Sequence, residues 1–229
     1  MLELDDLRTI PLFQDLNAEQ LRWLGDHLRI QEFPAGCNIA LAEQPGEIVY
    51  IIVKGTLKTY VQQTDGTEVI LAILGPGDTV GEISLLDRAG RSANVVTMEK
   101  ATLLWMDQAT FWKCLQTMPA VTYKLAQILC GRLRLGNEQI KALAGLDIYG
   151  RVARQLLAMA EQYGQPTANG ATLIPIRLTQ SDIAGLIGAS RESVNQVMVI
   201  FKKEKYISVD KKFRIAIHNE AALRQSCLL

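Results

Sequence analysis

The chain is poor in residues that do chemistry on their own, with four cysteines and two histidines in 229 residues. Cys37, Cys114, Cys130 and Cys227 stand far apart and form no CxxC pair. They support neither a zinc site nor an iron–sulfur cluster and read as four separate thiols. His27 and His218 give no basis for a haem sensor or a histidine-centred catalyst. With no clustered base, nucleophile or ligand set, an enzyme acting on nucleotides has little behind it, and neither a metal nor a resident cofactor is expected. Long hydrophobic runs are missing as well. No stretch approaches the roughly 18 apolar residues that cross a bilayer. The first six residues, MLELDD, are acidic where a secretion signal would be basic, so a cytoplasmic protein is expected.

Net charge is also lacking: 24 Lys and Arg balance 24 Asp and Glu. The balance is not local. From Asp147 onward there are 11 basic against 7 acidic residues, a surplus of +4, which leaves 13 against 17, or −4, in the first 146. A basic C-terminal part is mild evidence for a nucleic-acid partner. The length suffices for two domains with real cores. Hydrophobic content of 48% and charged content of 21% describe a globular chain rather than a disordered one.

Residues 4–9 and 18–29 read as short helices, the second with Leu21, Leu24 and Leu28 at helical spacing and Asn17 as N-cap; Phe13 is placed to pack them onto the β-rich part of the chain. From Ile30 the period shortens. Apolar segments at 48–53, 69–74 and 103–106 lie between turns, with glycines at 36, 46, 55, 66, 75 and 77 where tight corners need them. That rhythm predicts a compact antiparallel barrel or jelly roll. Asp107 or Thr110 then caps a helix over 111–116. A much longer helix begins after Pro119 and runs to about Leu146. In it Leu129, Leu133, Gly136, Ile140 and Leu143 repeat at spacing 4-3-4-3, a heptad seam. Leu125, Ile128, Leu135, Ala142 and Leu146 widen the apolar surface beside the seam. Gly136 costs the helix about 1 kcal/mol relative to Ala, which suggests that it makes room.

Two stretches carry function. In the first, Gly81-Glu82-Ile83 precedes Arg91-Ser92-Ala93. Gly81 allows close backbone approach, and a helical turn over 82–86 would aim unpartnered N–H groups at an anion. Arg91 supplies a fork of donors to that anion, and Ser92 one neutral donor more. Glu82 repels a phosphate, so its partner would be a sugar hydroxyl or an amine.

The second begins where Asp147 caps a helix over 148–162. After a polar loop at 164–170 and a strand at 172–176, Thr179 caps a helix carrying Ile183, Ala184, Leu186 and Ile187. Gly188 makes a tight turn, and Ser190 caps a further helix with Val194, Val197 and Met198 inward and Arg191, Glu192, Asn195 and Gln196 outward. This is a helix-turn-helix with its reading residues set for a major groove. Arg191 can donate in pairs to guanine, Glu192 can accept from cytosine, and Gln196 suits adenine. Segments 206–209 and 213–217, flanked by Lys202, Lys203, Lys205, Lys211, Lys212 and Arg214, read as a wing near phosphates.

Over about residues 7–217 the chain resembles the CRP/FNR transcription regulators. The Gly81-Glu82-Ile83 and Arg91-Ser92-Ala93 pair looks like their phosphate-binding cassette, and Ser190-Arg191-Glu192 like their recognition signature. The resemblance implies an α+β protein: a cyclic-nucleotide-binding β-roll over residues 1–118, a long dimerisation helix over 119–146, and a winged helix-turn-helix domain over 147–229. It further implies a homodimer on an inverted-repeat DNA site, a cyclic nucleotide effector, most simply cAMP, and RNA polymerase as a partner. The ligand would be held by Gly81, Glu82, Ile83, Arg91, Ser92 and Asn137, and DNA by Thr179, Ser190, Arg191, Glu192 and Gln196. Two departures matter. Gly136 and Asn137 stand where cAMP receptors carry hydroxyl residues for the adenine, which leaves room for a cyclic dinucleotide, another purine or no effector. Gln196 stands where cAMP-type relatives carry a second arginine, which implies a related but different half-site.

Overall fold

The computed structural model describes residues 4–227, and the chain divides into two compact units, Met1–Val61 with Leu71–Leu133, and Gln62–Ile70 with Arg134–Leu229. The first opens with α1 (Leu4–Arg8), a 3-10 turn (Pro11–Phe13) and α2 (Ala18–His27). Asn17 caps α2 in a reciprocal box with Gln20. The helix ends at His27 with Leu28 as its C-cap, two residues earlier than the sequence pattern suggests, and the first strand begins at Arg29.

Among the described residues eight strands follow: β1 (Arg29–Phe33), β2 (Asn38–Ala40), β3 (Ile48–Lys54), β4 (Leu57–Gln62), β5 (Glu68–Leu74), β6 (Thr79–Val80), β7 (Asn94–Thr97) and β8 (Ala101–Asp107), with α3 (Glu82–Asp87) between β6 and β7. They form two four-stranded sheets, ordered β1-β8-β3-β6 and β2-β7-β4-β5.

The period of two along β3 and β8 explains why residues 48–53 and 103–106 are apolar without a break. Val49, Ile51, Leu104 and Met106 point into one core with Phe13, Leu21, Phe111 and Leu125. Their neighbours Ile52 and Leu103 point the other way, to Leu57, Val80 and Val95. A strand covered on both faces has no position to spare for a polar residue. Truncating Leu103 or Leu104, both fully buried, to Ala would cost about 2–5 kcal/mol.

Of the corner glycines, those at 36, 55, 66 and 77 adopt positive φ, whereas Gly46 and Gly75 do not. Gly46 instead leaves space for Arg91, whose side chain packs against it. Asp107, rather than Thr110, caps α4 (Gln108–Thr117) by accepting from the Thr110 amide. The 27-residue α5 (Pro119–Gly145) then buries Val121 and Leu125. Further along it Leu133 and Ile140 are each 66% exposed and Leu143 49%.

The second unit contains α6 (Ile148–Tyr163), β9 (Gln165–Pro166), β10 (Thr172–Ile174), α7 (Gln180–Ile187), α8 (Arg191–Lys203), β11 (Ile207–Val209), β12 (Ile215–Ile217) and α9 (Glu220–Ser226). The sheet order is β11-β12-β10-β9. The loop at 164–170 thus yields a short strand, and the strand expected over 172–176 ends at Ile174. Val152, Leu156, Val194, Ile215 and Leu223 are fully buried in its core. Asp147, Thr179 and Ser190 cap α6, α7 and α8, each accepting from a backbone amide three residues on. Gly188 turns the chain between α7 and α8 at φ 61°. The Ala189 amide closes back on the Ala184 carbonyl at 3.1 Å, so a bulkier turn would break the helix pair.

Candidate functional site: a charged pocket and a helix-turn-helix

A cavity of about 200 Å³ in the first unit brings together Gly81, Glu82, Ile83, Arg91 and Ser92, five of the six residues to which the sequence points for a ligand. The sixth, Asn137, is exposed on α5.

Close packing holds Arg91 in place. Its Nη2 donates to the Ile48 carbonyl at 2.8 Å and its Nη1 to Ser84 Oγ at 3.4 Å. Its backbone is clamped by the loop before β3, with the Arg91 amide donating to the Gln44 carbonyl and the Glu43 amide to the Arg91 carbonyl, both at 2.9 Å. Two glycines make room. Gly81 sits at φ 93°, and a Cβ there would strike the Arg91 guanidinium and come within 2.6 Å of the Ile48 carbonyl. A Cβ on Gly46 would lie 2.8 Å from the Ser84 Cβ and 3.0 Å from Arg91 Nε. Arg91 is 9% exposed. Burial pulls its pKa down, while Tyr50 and Glu82 push it back up; burial also raises the Tyr50 hydroxyl, which Arg91 opposes.

Glu82 is 1% exposed. One carboxylate oxygen pairs with Arg132 Nη1 at 2.5 Å, and Arg132 Nη2 donates to the Thr79 carbonyl at 2.7 Å. The other oxygen, Oε2, is buried with no hydrogen-bond partner among the described residues. An unmet buried acceptor of this kind costs about 1–3 kcal/mol until a donor arrives. The cavity's charged lining is Arg91, Arg132 and Glu82, two cations against one anion. The remaining wall, with Leu71, Leu74, Val80 and Val95, is apolar, and Thr59 and Thr79 add hydroxyls. Two cations against one anion leave this lining one positive charge over, which suits a singly charged anion.

The sequence pattern does not single out Arg132. A signal is nonetheless present, since it lies seven residues beyond the buried Leu125 on the same helical face.

In the second unit Arg191, Glu192, Asn195 and Gln196 are exposed on one side of α8, while Val194, Val197 and Met198 are buried. Thr179 and Ser190 spend their side chains as caps. Thr179 and Arg191 line a groove of about 440 Å³ with Lys202 and Phe213. The wing between β11 and β12 is fixed by Asp210, which accepts from the amides of Lys212 and Arg214 at 2.8 and 2.9 Å and from Arg214 Nε at 2.7 Å. Those backbone and side-chain donors hold the Asp210 carboxyl below its ordinary range.

The cyclic nucleotide-binding domain model matches residues 30–118, and the Crp-like helix-turn-helix domain model matches residues 150–226. The chain is similar, at 32% identity over 215 residues, to the CRP-like cAMP-activated global transcriptional regulator of Mycobacterium tuberculosis, with 94% of this chain and 96% of that one covered. Among solved structures it resembles FixK2 of Bradyrhizobium japonicum, with TM-score 0.76 at 20% identity over 86% of this chain and 96% of that one. It also resembles the c-di-GMP responsive global regulator CLP of Xanthomonas campestris, with TM-score 0.70 at 20% identity over 88% and 99%.

Proposed function

The chain belongs to the CRP family of cyclic-nucleotide-binding, helix-turn-helix DNA-binding transcription regulators, and from that premise we propose that it is a cAMP-gated homodimer acting on an inverted-repeat site. The observation that carries the effector assignment is a cavity whose charged lining leaves one positive charge over, together with the Oε2 of Glu82, a residue of that lining, which is buried without a hydrogen-bond partner among the described residues. A ribose hydroxyl supplies the missing donor, and a cyclic phosphodiester supplies the single negative charge. The long helix supports the homodimer: Leu133 and Ile140, each 66% exposed, fall one heptad apart, and each is worth about 1.5–3 kcal/mol when covered by a second copy. In this reading residues 1–118 sense, 119–146 pair and 147–229 bind DNA, with RNA polymerase as the partner at the promoter and the cytoplasm as the setting. Gating requires the nucleotide to interact differently with two arrangements of the helices.

Calorimetric titration of the full chain with cAMP, cGMP and cyclic di-GMP tests the assignment. cAMP should give a saturable isotherm, weakened about ten- to a hundred-fold by Glu82→Gln, the worth of a hydrogen bond to a charged group. A flat cAMP isotherm removes that effector. Binding of cyclic di-GMP alone would favour the second reading, a cyclic dinucleotide effector, for which the exposed position of Asn137 speaks.

A further inference from the structure

We infer that Asn195 and Val199 form a thymine-reading pair on α8, oriented by Gln180 from the neighbouring helix; this rests on α8 being the helix that enters the major groove. Asn195 is exposed and Val199 is 48% exposed. Four residues apart on one helix, their side chains stand side by side at about 5–6 Å. They lie on the same outward side as Glu192 and Gln196, away from the buried Val194 and Val197.

One hydrogen bond ties the amide of Asn195 to α7. Gln180 Nε2 donates to Asn195 Oδ1 at 2.7 Å. Gln180 is the first residue of α7, where the chain is pinned by Thr179, whose amide and hydroxyl both donate to Asp182 Oδ2 at 2.8 and 2.6 Å. With its carbonyl turned back to Gln180, Asn195 presents its NH2 group outward and reads as a donor.

Major-groove edges answer a donor differently. Cytosine offers only a donor and is rejected. Adenine pairs best with an asparagine that donates to N7 and accepts from N6 together, and the engaged carbonyl removes the second half of that pair. Guanine and thymine remain, each offering acceptors. Val199 decides between them, because thymine carries a C5-methyl group beside its O4 and guanine has no apolar atom there. A β-branched apolar side chain left on a reading face next to a fixed donor matches thymine on both counts. Gln180 touches no base in this scheme and is a positioning residue.

The experiment uses the full chain with its nucleotide effector. A site is first selected from a random DNA pool, and duplexes carrying thymine, deoxyuridine or guanine at the selected position are then compared. Replacing thymine by deoxyuridine removes one methyl group and should weaken the parent about four-fold, the worth of a buried methyl. Val199→Ala should make the two duplexes equivalent. Asn195→Ala should lose thymine preference at that position with an unchanged salt slope. Gln180→Glu gives the sharpest readout, because a carboxylate only accepts. Asn195 would then turn its NH2 group to Glu and its carbonyl outward, and selection should move from thymine to adenine or cytosine, which a merely structural role for Gln180 would not produce. Equal affinity of the parent for thymine and deoxyuridine throughout the site, or guanine at the position that Asn195→Ala relaxes, overturns the pair; neither result needs the other variants to fold. Failure of the parent to select any motif would instead defeat the reading of α8 as a groove-entering helix.

Discussion

Replacing Arg132 by Leu tests the buried end of the proposed ligand site. In the parent, Glu82 is 1% and Arg132 27% exposed, with their charged atoms 2.5 Å apart. Removing one partner of a fully buried pair costs about 3–5 kcal/mol because the other charge is stranded. Arg132 is partly wetted, so water enters where it stood, and we expect about 2 kcal/mol, roughly a thirty-fold change in the folding equilibrium. For a unit of this size that lowers the thermal midpoint by about 8 °C. Urea denaturation followed by tryptophan fluorescence measures it. A double variant, Arg132→Leu with Glu82→Leu, closes a cycle: with both charges gone the pair becomes apolar, and most of the loss should return. Nucleotide binding should be weakened in the single and the double variant alike, since the hydroxyl acceptor needs Glu82 present and oriented. If Arg132→Leu is as stable as the parent, or the two substitutions add without coupling, the carboxylate is already solvated and Oε2 is not waiting for a ligand.

Gly46→Ala places a methyl group 2.8 Å from Ser84 and 3.0 Å from Arg91; we expect nucleotide affinity to fall at least about ten-fold, since a displaced Arg91 loses a charged hydrogen bond, and an unchanged isotherm would mean that the loop yields. Leu133→Glu or Ile140→Glu puts charge into the exposed seam of α5 and should halve the sedimenting mass; native mass in both variants would mean that the seam faces no second copy. Burial pushes the Cys114 thiol up to about 11, so at pH 8 its thiolate is scarce and alkylation should spare it while the exposed Cys130 reacts first. Because the folded value lies above that of the unfolded chain, Cys114 withdraws stability only as pH rises from about 9 towards 11; mass spectrometry after a timed iodoacetamide pulse at pH 8 and at pH 10 gives the order of labelling. Arg191→Ala should cost about 1–3 kcal/mol and relax one guanine position, whereas Lys211→Ala should weaken all sequences alike and flatten the salt dependence; filter binding across a salt series separates the two.

What is legible in the sequence is mostly local. Asn17, Asp147, Thr179 and Ser190 stand out as caps because a cap acts on an amide three residues away. Gly81, Glu82 and Arg91 can be grouped because eleven residues hold both ends of the cassette. Arg132 escapes because its partner lies fifty residues earlier, and the stronger heptad seam of α5 masks the face it shares with Leu125. Asn137 is suggested by the family pattern at the base end, yet it stands exposed on α5. The Gln180–Asn195 bond joins two helices across a turn, and nothing in either helix's own periodicity announces it. β9, two residues long and ending in Pro166, is too short to carry an alternating signal.

Because β8 lies between two cores, its amides have no solvent on either side, and both neighbouring strands cover its edges. Opening it requires α2 and α4 to lift away from one face and the facing sheet from the other, which is nearly the unfolding of the whole unit. In hydrogen–deuterium exchange the amides of Leu103 and Leu104 should therefore report the global free energy of that unit, while the β11–β12 turn exchanges early. Any stabilisation that a bound nucleotide confers will be recorded in those two peptides, even though neither residue lines the cavity.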